Sequence, residues 1–327
     1  MRVRTCLTIV ALTSILPAAS PAFAYWVWTP KTGKWVNPKT QPKDNPQEQL
    51  EYAQAFYDHQ DYKRAVRECL RLVRHYPKAA QAPEAQFAAG ACYEGMNQPY
   101  QAFLMYKKLV EIYPYSTRFK DAIARSYAIG DAFYEGAKVR PIQQVPLAVP
   151  ALDKAVEILE HIVAQAPYGD YGDKAQFRLG QTHRKMRNYG EALKAFEKLV
   201  QDYKNSPFIE EARYNTAFCA KQLSLKPAYD QESTDQAIAW FEDFIASHPG
   251  SDLLPEAQES LLQLRGHKAE SFYTIAQFYA RQKKWVSARQ YYRKIIEQYA
   301  DTPWASQAVA QLTEMEQAGH IAPVSGS

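Results

Sequence analysis

The segment DYKRAVRECLRLVRHYPKAAQAPEA, which runs from Asp61 to Ala85, contains a pattern that returns five more times along the chain. Each copy has a Tyr-Pro or a related pair, here Tyr76-Pro77. One alanine lies eleven residues before the first residue of that pair, and a second lies nine residues after it. This periodicity predicts about six equivalent units. The two alanine columns are Ala65, Ala102, Ala155, Ala192, Ala237 and Ala288, and Ala85, Ala122, Ala175, Ala212, Ala257 and Ala308.

A larger residue follows each alanine of the first column four positions later, and we call these six residues the large column. Apolar pairs such as Leu72-Val73 follow three positions after that. Steps of four and three keep side chains on one face of a helix. Because alanine lets two helix backbones approach closely, we expect the alanines to lie at helix contacts. The large column comprises Cys69, Tyr106, Leu159, Phe196, Phe241 and Tyr292.

A second helix is predicted upstream of several of these helices, marked by a small residue and an aromatic residue three positions later. Examples are Gly90 with Tyr93 and Gly130 with Phe133. Each unit is therefore a helix hairpin, and one hairpin cannot bury its apolar face alone. We expect an all-α, curved solenoid of about six stacked hairpins.

These intervals resemble the tetratricopeptide repeat. Within that superfamily, Asp61 to Ala85 and Ile275 to Ala308 are similar to the BamD, or YfiO, family of outer-membrane assembly factors, and the resemblance extends over residues 47 to 318. Members of that family are periplasmic lipoproteins that dock on the β-barrel assembly machine. The resemblance therefore implies a protein-binding scaffold whose partners are barrel-assembly components or unfolded outer-membrane clients.

The first residues are typical of an exported protein. Arg2 and Arg4 precede an apolar run from Cys6 to Leu16, and Ala22-Phe23-Ala24 matches a cleavage site. We expect a periplasmic protein. Because Cys6 stands at the start of the apolar run rather than after it, there is no recognisable lipobox and a lipid anchor is not expected, which leaves peripheral association with the outer membrane open. No apolar run has the roughly 20 residues that a transmembrane helix needs.

Four segments are predicted in all: a signal peptide at 1–24, an aromatic N-terminal segment at 25–46, the solenoid at 47–318 and a disordered tail at 319–327. Two inserts interrupt the repeats. Lys138 to Pro150 is proline-rich and predicts a loop, either a surface excursion or a flap that contacts a partner. Leu225 to Thr234 predicts a polar loop, and Pro255 to Lys284 predicts one long helix or two helices broken near Gly266.

Composition excludes several functions. The formal net charge is only +4, and basic residues alternate with acids, so nucleic-acid binding is not expected. The seven histidines are scattered and no nucleophile elbow or phosphate-binding loop is present, so we expect no enzyme, no cofactor and no metal site. Cys69, Cys92 and Cys219 lie at apolar helical positions and favour buried thiols, while a Cys69 to Cys92 bridge stays open.

Two sets of aromatic residues are candidate partner-binding residues. Trp26, Trp28 and Trp35 flank a loop at Thr29 to Gly33 that favours a small β-hairpin, which is interpreted either as a cap on the first repeat or as an exposed binding patch. The second set lies on the first helix of successive repeats, where the tetratricopeptide architecture places its groove, and packing between repeats is the alternative. It comprises Phe87, Tyr127, Phe177, Tyr214 and Tyr273.

Two functions follow from these patterns. The first is a BamD-like scaffold in outer-membrane β-barrel protein assembly. The second is a coordinator of cell-wall or polysaccharide export machinery, in which the tryptophan segment contacts glycan. Copurification distinguishes them, because barrel-assembly components support the first and retention on peptidoglycan supports the second.

Overall fold

The computed structural model describes residues 26–29, 33–36, 41–139, 149–224 and 231–321, and thirteen helices account for most of these residues. The predicted all-α solenoid is confirmed. Within these ranges, no helix combines the length and the apolar character that a membrane crossing requires. The helices are Pro46–Asp58 (α1), Tyr62–His75 (α2), Ala82–Gly95 (α3), Pro99–Ile112 (α4), Phe119–Glu135 (α5), Leu152–Gln165 (α6), Gly172–Lys185 (α7), Tyr189–Asp202 (α8), Ile209–Ser224 (α9), Gln231–Ser247 (α10), Leu254–Arg281 (α11), Trp285–Gln298 (α12) and Pro303–Gln317 (α13).

Consecutive helices pair into six hairpins, from α1–α2 to α11–α12, and α13 packs on the last of them. We call the first helix of each hairpin its A helix and the second its B helix. The first alanine column lies on the six B helices, and the second lies on the A helix that follows each of them or, at the end, on α13. The predicted six units are therefore confirmed.

The twelve alanines form the central contacts of the fold. Every one of them is 0% exposed, and the large column is at most 2% exposed. A methyl group is the largest side chain that still allows close backbone approach, and the larger side chains fill the space beside it. The two columns thus form a core that runs through all six hairpins.

Glycines on the A helices accommodate the rings of the large column. A Cβ atom at Gly90 would lie 2.4 Å from the Tyr106 ring, and one at Gly180 would lie 2.6 Å from the Phe196 ring. At Gly130 the nearest atom is Cγ2 of Ile158, at 3.1 Å. The small residue predicted on the A helix therefore leaves room for an aromatic ring at Gly90 and for an isoleucine at Gly130.

Buried glutamines hold the A and B helices of three hairpins together. Nε2 of Gln49, Gln86 and Gln176 donates to a backbone carbonyl 19 residues later, at 3.2, 3.0 and 2.7 Å respectively. Each accepting carbonyl belongs to the residue just before the large column. Because a polar residue is seldom assigned to a core, the sequence analysis missed these bonds.

The inserts differ in part from their predictions. The prediction of a loop at Leu225 to Thr234 is wrong for its last residues, because α10 begins at Gln231. Glu232 lies in the first turn of α10, where its negative charge interacts favourably with the helix dipole. Residues 225–230 lie outside the described residues. The insert from Lys138 to Pro150 begins and ends with short strands that pair antiparallel, Lys138–Val139 (β3) and Val149–Pro150 (β4). Residues 140–148 between these strands lie outside the described residues.

Helix α11 is one continuous helix of 28 residues, without a break at Gly266. Its first half packs with α10 through Ala257 and Leu264. Its second half packs with α12 and α13 through Ala269 and Ala276. Helix α11 therefore contributes core residues to two neighbouring units.

The N-terminal strands are Val27–Thr29 (β1) and Lys34–Val36 (β2), which pair antiparallel with Trp28 opposite Trp35. Residues 30–32 between them lie outside the described residues, so the predicted hairpin as a whole stays a prediction. The expected signal peptide at 1–24 and residues 322–327 of the expected tail also lie outside them.

We expect Gly90→Ala to lower the free energy of unfolding. The added methyl would overlap the Tyr106 ring, and overpacking costs about 1–3 kcal/mol. Gly266→Ala is the matched control, since a Cβ there meets no other described atom within 4 Å. That change should raise stability by about 1 kcal/mol through helix propensity. Urea unfolding followed by circular dichroism measures both, and equal shifts would contradict the packing argument.

Candidate protein-binding surface

Polar pairs link successive A helices from α3 to α11 along one face of the solenoid. Between α3 and α5, Nη2 of Arg118 donates to Glu84 at 2.8 Å, and Arg125 pairs with Glu94 at 3.0 Å. Arg178 of α7 pairs with Asp131 of α5 at 2.7 Å. We call this series the A-helix ladder. It continues to α11 through Arg184 with Asn215 and through Lys221 with Gln263.

The charges of the ladder have fixed positions. Hydrogen bonds to the Glu84 and Asp121 carboxylates raise the pKa of the Arg118 guanidinium. Burial has the largest single effect on Arg178 and opposes its charge, but Asp131, Tyr127 and Tyr134 together outweigh burial, so the pKa of Arg178 is raised. Exposed ion pairs contribute only about 0.2–1 kcal/mol each, so the ladder orients groups more than it stabilises the fold.

The five predicted groove aromatics lie between helices. Phe87, Tyr127 and Tyr214 are half-buried, whereas Phe177 and Tyr273 are only 6% and 9% exposed. Four of the rings contact the large column of their own hairpin. These contacts are Phe87 with Tyr106 at 5.2 Å, Phe177 with Phe196 at 5.8 Å, Tyr214 with Phe241 at 6.2 Å and Tyr273 with Tyr292 at 5.4 Å.

Two of the five rings, Phe177 and Tyr127, contact aromatic residues of the next unit. Phe177 stacks on Phe208 at 4.8 Å, and Tyr127 contacts Tyr171 at 5.1 Å. Phe177 and Tyr127 therefore pack between repeats. A role in binding a partner stays a prediction, and it depends on the half-buried rings, whose edges remain accessible.

Arginines of the ladder cover aromatic rings on this face. Arg118 lies 5.1 Å from the centroid of Phe87, and Arg178 lies 4.3 Å from that of Tyr134. The sequence analysis did not identify these arginines or Tyr134, because neither column of the repeat contains them. Rings and fixed charges side by side suit a polypeptide ligand, which offers apolar side chains and hydrogen-bonding groups together.

The three tryptophans of the N-terminal segment are exposed. Trp26, Trp28 and Trp35 are 56%, 47% and 63% exposed, and Trp28 meets Trp35 edge to face at 5.8 Å. The segment joins the solenoid at Lys43, whose carbonyl accepts a hydrogen bond from the Tyr76 hydroxyl at 2.6 Å. Both interpretations of this segment, cap and binding patch, stay predictions.

We expect replacement of Trp26, Trp28 and Trp35 by phenylalanine to shift the tryptophan emission to shorter wavelength. The exposed indoles emit at longer wavelength, while Trp240, Trp285 and Trp304 are half-buried. Steady-state fluorescence of the folded protein measures the shift. An unchanged spectrum would mean that the three rings are covered in solution, as a cap requires.

Cys69, Cys92 and Cys219 are free thiols, so the bridge left open between Cys69 and Cys92 is not formed. Burial raises the pKa of Cys92 to about 11 and that of Cys219 to about 12, and it also raises the pKa of Cys69. No cluster of His, Cys, Asp or Glu in the described ranges could hold a metal ion.

We therefore expect Cys69, Cys92 and Cys219 to resist alkylation by iodoacetamide at pH 8 in the native protein. A raised pKa keeps each thiol protonated at that pH, and the protonated thiol is a poor nucleophile. Peptide mass spectrometry after native and urea-treated labelling checks this. Rapid native labelling at any of the three sites would contradict the burial.

Comparison with known proteins identifies the family. The model of the YfiO family, described as an outer membrane lipoprotein, matches residues 144–322, and a tetratricopeptide repeat model matches residues 84–116. The outer membrane protein assembly factor BamD of Caulobacter vibrioides is 22% identical over 162 residues, which cover 50% of this chain and 53% of that protein. BamD of Xylella fastidiosa is 24% identical over 165 residues, covering 47% and 56% respectively.

The chain spans about half the length of the curated relatives it matches. Among solved structures, the C-terminal part of a repeat protein from Cytophaga hutchinsonii is 17% identical, covers 81% of this chain and 88% of its own, and has a TM-score of 0.34. The YfiO match extends over more than half of the 327 residues. The chain therefore belongs to the YfiO family of outer membrane lipoproteins.

Proposed function

We propose that this protein is a periplasmic, BamD-like scaffold that binds other proteins during the assembly of outer-membrane β-barrel proteins. Family membership supports this role, as do relatives that are named outer membrane protein assembly factors. The observation that carries the proposal is the A-helix ladder, with its half-buried rings held beside fixed charges. The ligands proposed for this face are barrel-assembly components or unfolded outer-membrane clients.

A pre-organised face favours binding of a flexible chain. An unfolded polypeptide loses conformational freedom when it binds, so affinity improves when the receptor has little freedom left to lose. Here the ladder and the buried glutamines already hold the A helices in place. The repeat also presents similar sites one hairpin apart, which suits an extended ligand.

Binding is proposed rather than catalysis because the relatives are named for assembly. Envelope association is expected to come from protein partners or from peripheral contact with the outer membrane. The aromatic N-terminal segment is a second surface for such contact, since its three tryptophans are exposed.

Peptide binding by the A-helix face is tested with the triple variant Phe87→Leu, Tyr127→Leu and Tyr214→Leu. We expect at least a threefold loss of affinity for a fluorescent, urea-denatured outer-membrane porin diluted into buffer, because the half-buried rings are removed while apolar packing is largely kept. Fluorescence anisotropy measures the affinity, and circular dichroism verifies folding. Phe177 is left unchanged because it is only 6% exposed.

Tyr115→Leu is the matched control, since Tyr115 is 98% exposed in the turn between α4 and α5. Equal affinity in the triple variant and the control would refute binding at this face. The cellular role is tested separately by copurification from native envelopes. Recovery of peptidoglycan without barrel-assembly proteins would favour the cell-wall function instead.

A further inference from the structure

One face of α2, the first B helix, carries a row of basic side chains. Lys63, Arg67 and Arg74 are exposed, and we call these three residues the basic stripe. Because a helix turns by about 100° per residue, the three side chains leave α2 within an arc of about 40°. The stripe therefore presents three positive charges on one face of the helix.

The acidic residues of this segment do not neutralise the basic stripe. Asp61, the N-cap of α2, pairs with Arg64 at 3.1 Å, and the buried Glu68 pairs with Arg71 at 2.6 Å. No member of the stripe forms an ion pair among the described residues. Basic and acidic residues alternate along the sequence here, but the helix places them on different faces, so the stripe was not identified from the sequence.

The basic stripe is specific to the first unit. Its members lie two residues before, two residues after and nine residues after the alanine of the first column. At these positions the other B helices carry one basic residue, Lys194, which is paired with Glu191. The repeat itself therefore does not require basic residues there. The acidic residues found at the same positions are Glu111, Asp153, Glu157, Asp235 and Glu297.

The N-terminal segment adds exposed aromatic rings and further positive charge. Trp28 and Trp35 lie opposite each other in β1 and β2 and meet edge to face at 5.8 Å, so their rings share one side of the strand pair. Trp26, just before β1, is 56% exposed. The sequence over 25–43 has no acidic residue, and its lysines are Lys31, Lys34, Lys39 and Lys43.

A hydrogen bond connects this segment to the end of α2 that carries Arg74. The hydroxyl of Tyr76, the C-cap of α2, donates to the carbonyl of Lys43 at 2.6 Å. Val36, at the end of β2, precedes Lys43 by seven residues, which span at most about 25 Å when fully extended. The exposed indoles are therefore tethered close to the basic stripe.

We propose that the basic stripe and the exposed tryptophans together bind the surface of an anionic phospholipid bilayer. Lysine and arginine are attracted to anionic lipid headgroups. Tryptophan is enriched where headgroups meet acyl chains, because its ring is apolar and its N–H still finds a hydrogen-bond acceptor there. A soluble polyanion accounts for the stripe and a neutral glycan for the indoles, whereas an anionic bilayer accounts for both.

This inference deepens the proposed function, on which it rests for the membrane that the protein meets in the cell. Vesicle binding is measured without a client or an assembly partner. Failure of vesicle binding therefore leaves the porin experiment on the A-helix face unaffected, and failure of the porin experiment leaves vesicle binding unaffected.

Cosedimentation of the exported protein, without its expected signal peptide, measures binding to vesicles of phosphatidylcholine and phosphatidylglycerol in equal amounts. We expect at least tenfold weaker binding to vesicles of phosphatidylcholine alone, because the charge attraction is then absent. High salt should also weaken binding to the anionic vesicles, since it screens exposed charges. Equal binding to the two kinds of vesicle would overturn the proposal.

The contribution of the basic stripe is tested with the triple variant Lys63→Gln, Arg67→Gln and Arg74→Gln. We expect at least a fivefold loss of affinity for the anionic vesicles at low salt, because three charges near the headgroups are removed. Glutamine has a helix propensity close to that of lysine and arginine, so α2 should stay folded. Circular dichroism verifies folding.

The matched control removes the same charge from other units through Lys108→Gln, Lys198→Gln and Lys204→Gln. Each of these lysines is exposed, in α4, in α8 and in the turn after α8 respectively. The control should bind the anionic vesicles within twofold of the unmodified protein. Equal losses in the two triple variants would mean that overall charge drives binding, and this result would overturn the role of the stripe.

Vesicles with brominated acyl chains test the position of the tryptophans. We expect these vesicles to quench the emission of the unmodified protein, and we expect the quenching to be lost when Trp26, Trp28 and Trp35 are replaced by phenylalanine. The indoles that remain in that variant are half-buried within the solenoid. Equal quenching of both proteins, or retention on peptidoglycan without vesicle binding, would overturn the proposal.

Discussion

The contact between a small residue on one helix and a large residue on its neighbour is the constraint on which the whole structure depends. The twelve column alanines are fully buried, and Gly90 and Gly180 leave space for the rings of Tyr106 and Phe196. Two helix backbones approach closely only where the facing residue is small, and a ring inserts only where the same small residue leaves space for it. The hairpin is the smallest unit that satisfies this contact, and stacking is the only way to bury the rest of its surface.

Hydrogen bonds and ion pairs fix how the apolar helices are oriented relative to one another. The glutamine bonds at intervals of 19 residues fix how an A helix sits against its B helix. The A-helix ladder then fixes how one hairpin sits against the next. Because surface ion pairs stabilise weakly and buried hydrogen bonds are costly to leave unmade, these groups select one arrangement among several that the apolar packing permits.

The two faces of the solenoid have different chemistry. The A helices present rings beside charged side chains along several units, which supports the proposed role in binding a polypeptide. On the B-helix side, a cleft of about 280 Å³ lies beside Ala195.

The amino-acid sequence by itself determined the helices, the six hairpins and the burial of both alanine columns, because these follow from local spacing that repeats in register. It also indicated the family through the same repeats. It was wrong about the start of α10 and left α11 open, because helix ends depend on neighbours that stabilise the last turn. Only the tertiary structure decided that Phe177 and Tyr273 are core residues, that Arg118 and Arg178 cover aromatic rings, and that Gln176 lacks a donor. Those facts arise between helices of different units, and no spacing within a unit encodes which long-range side chains will meet.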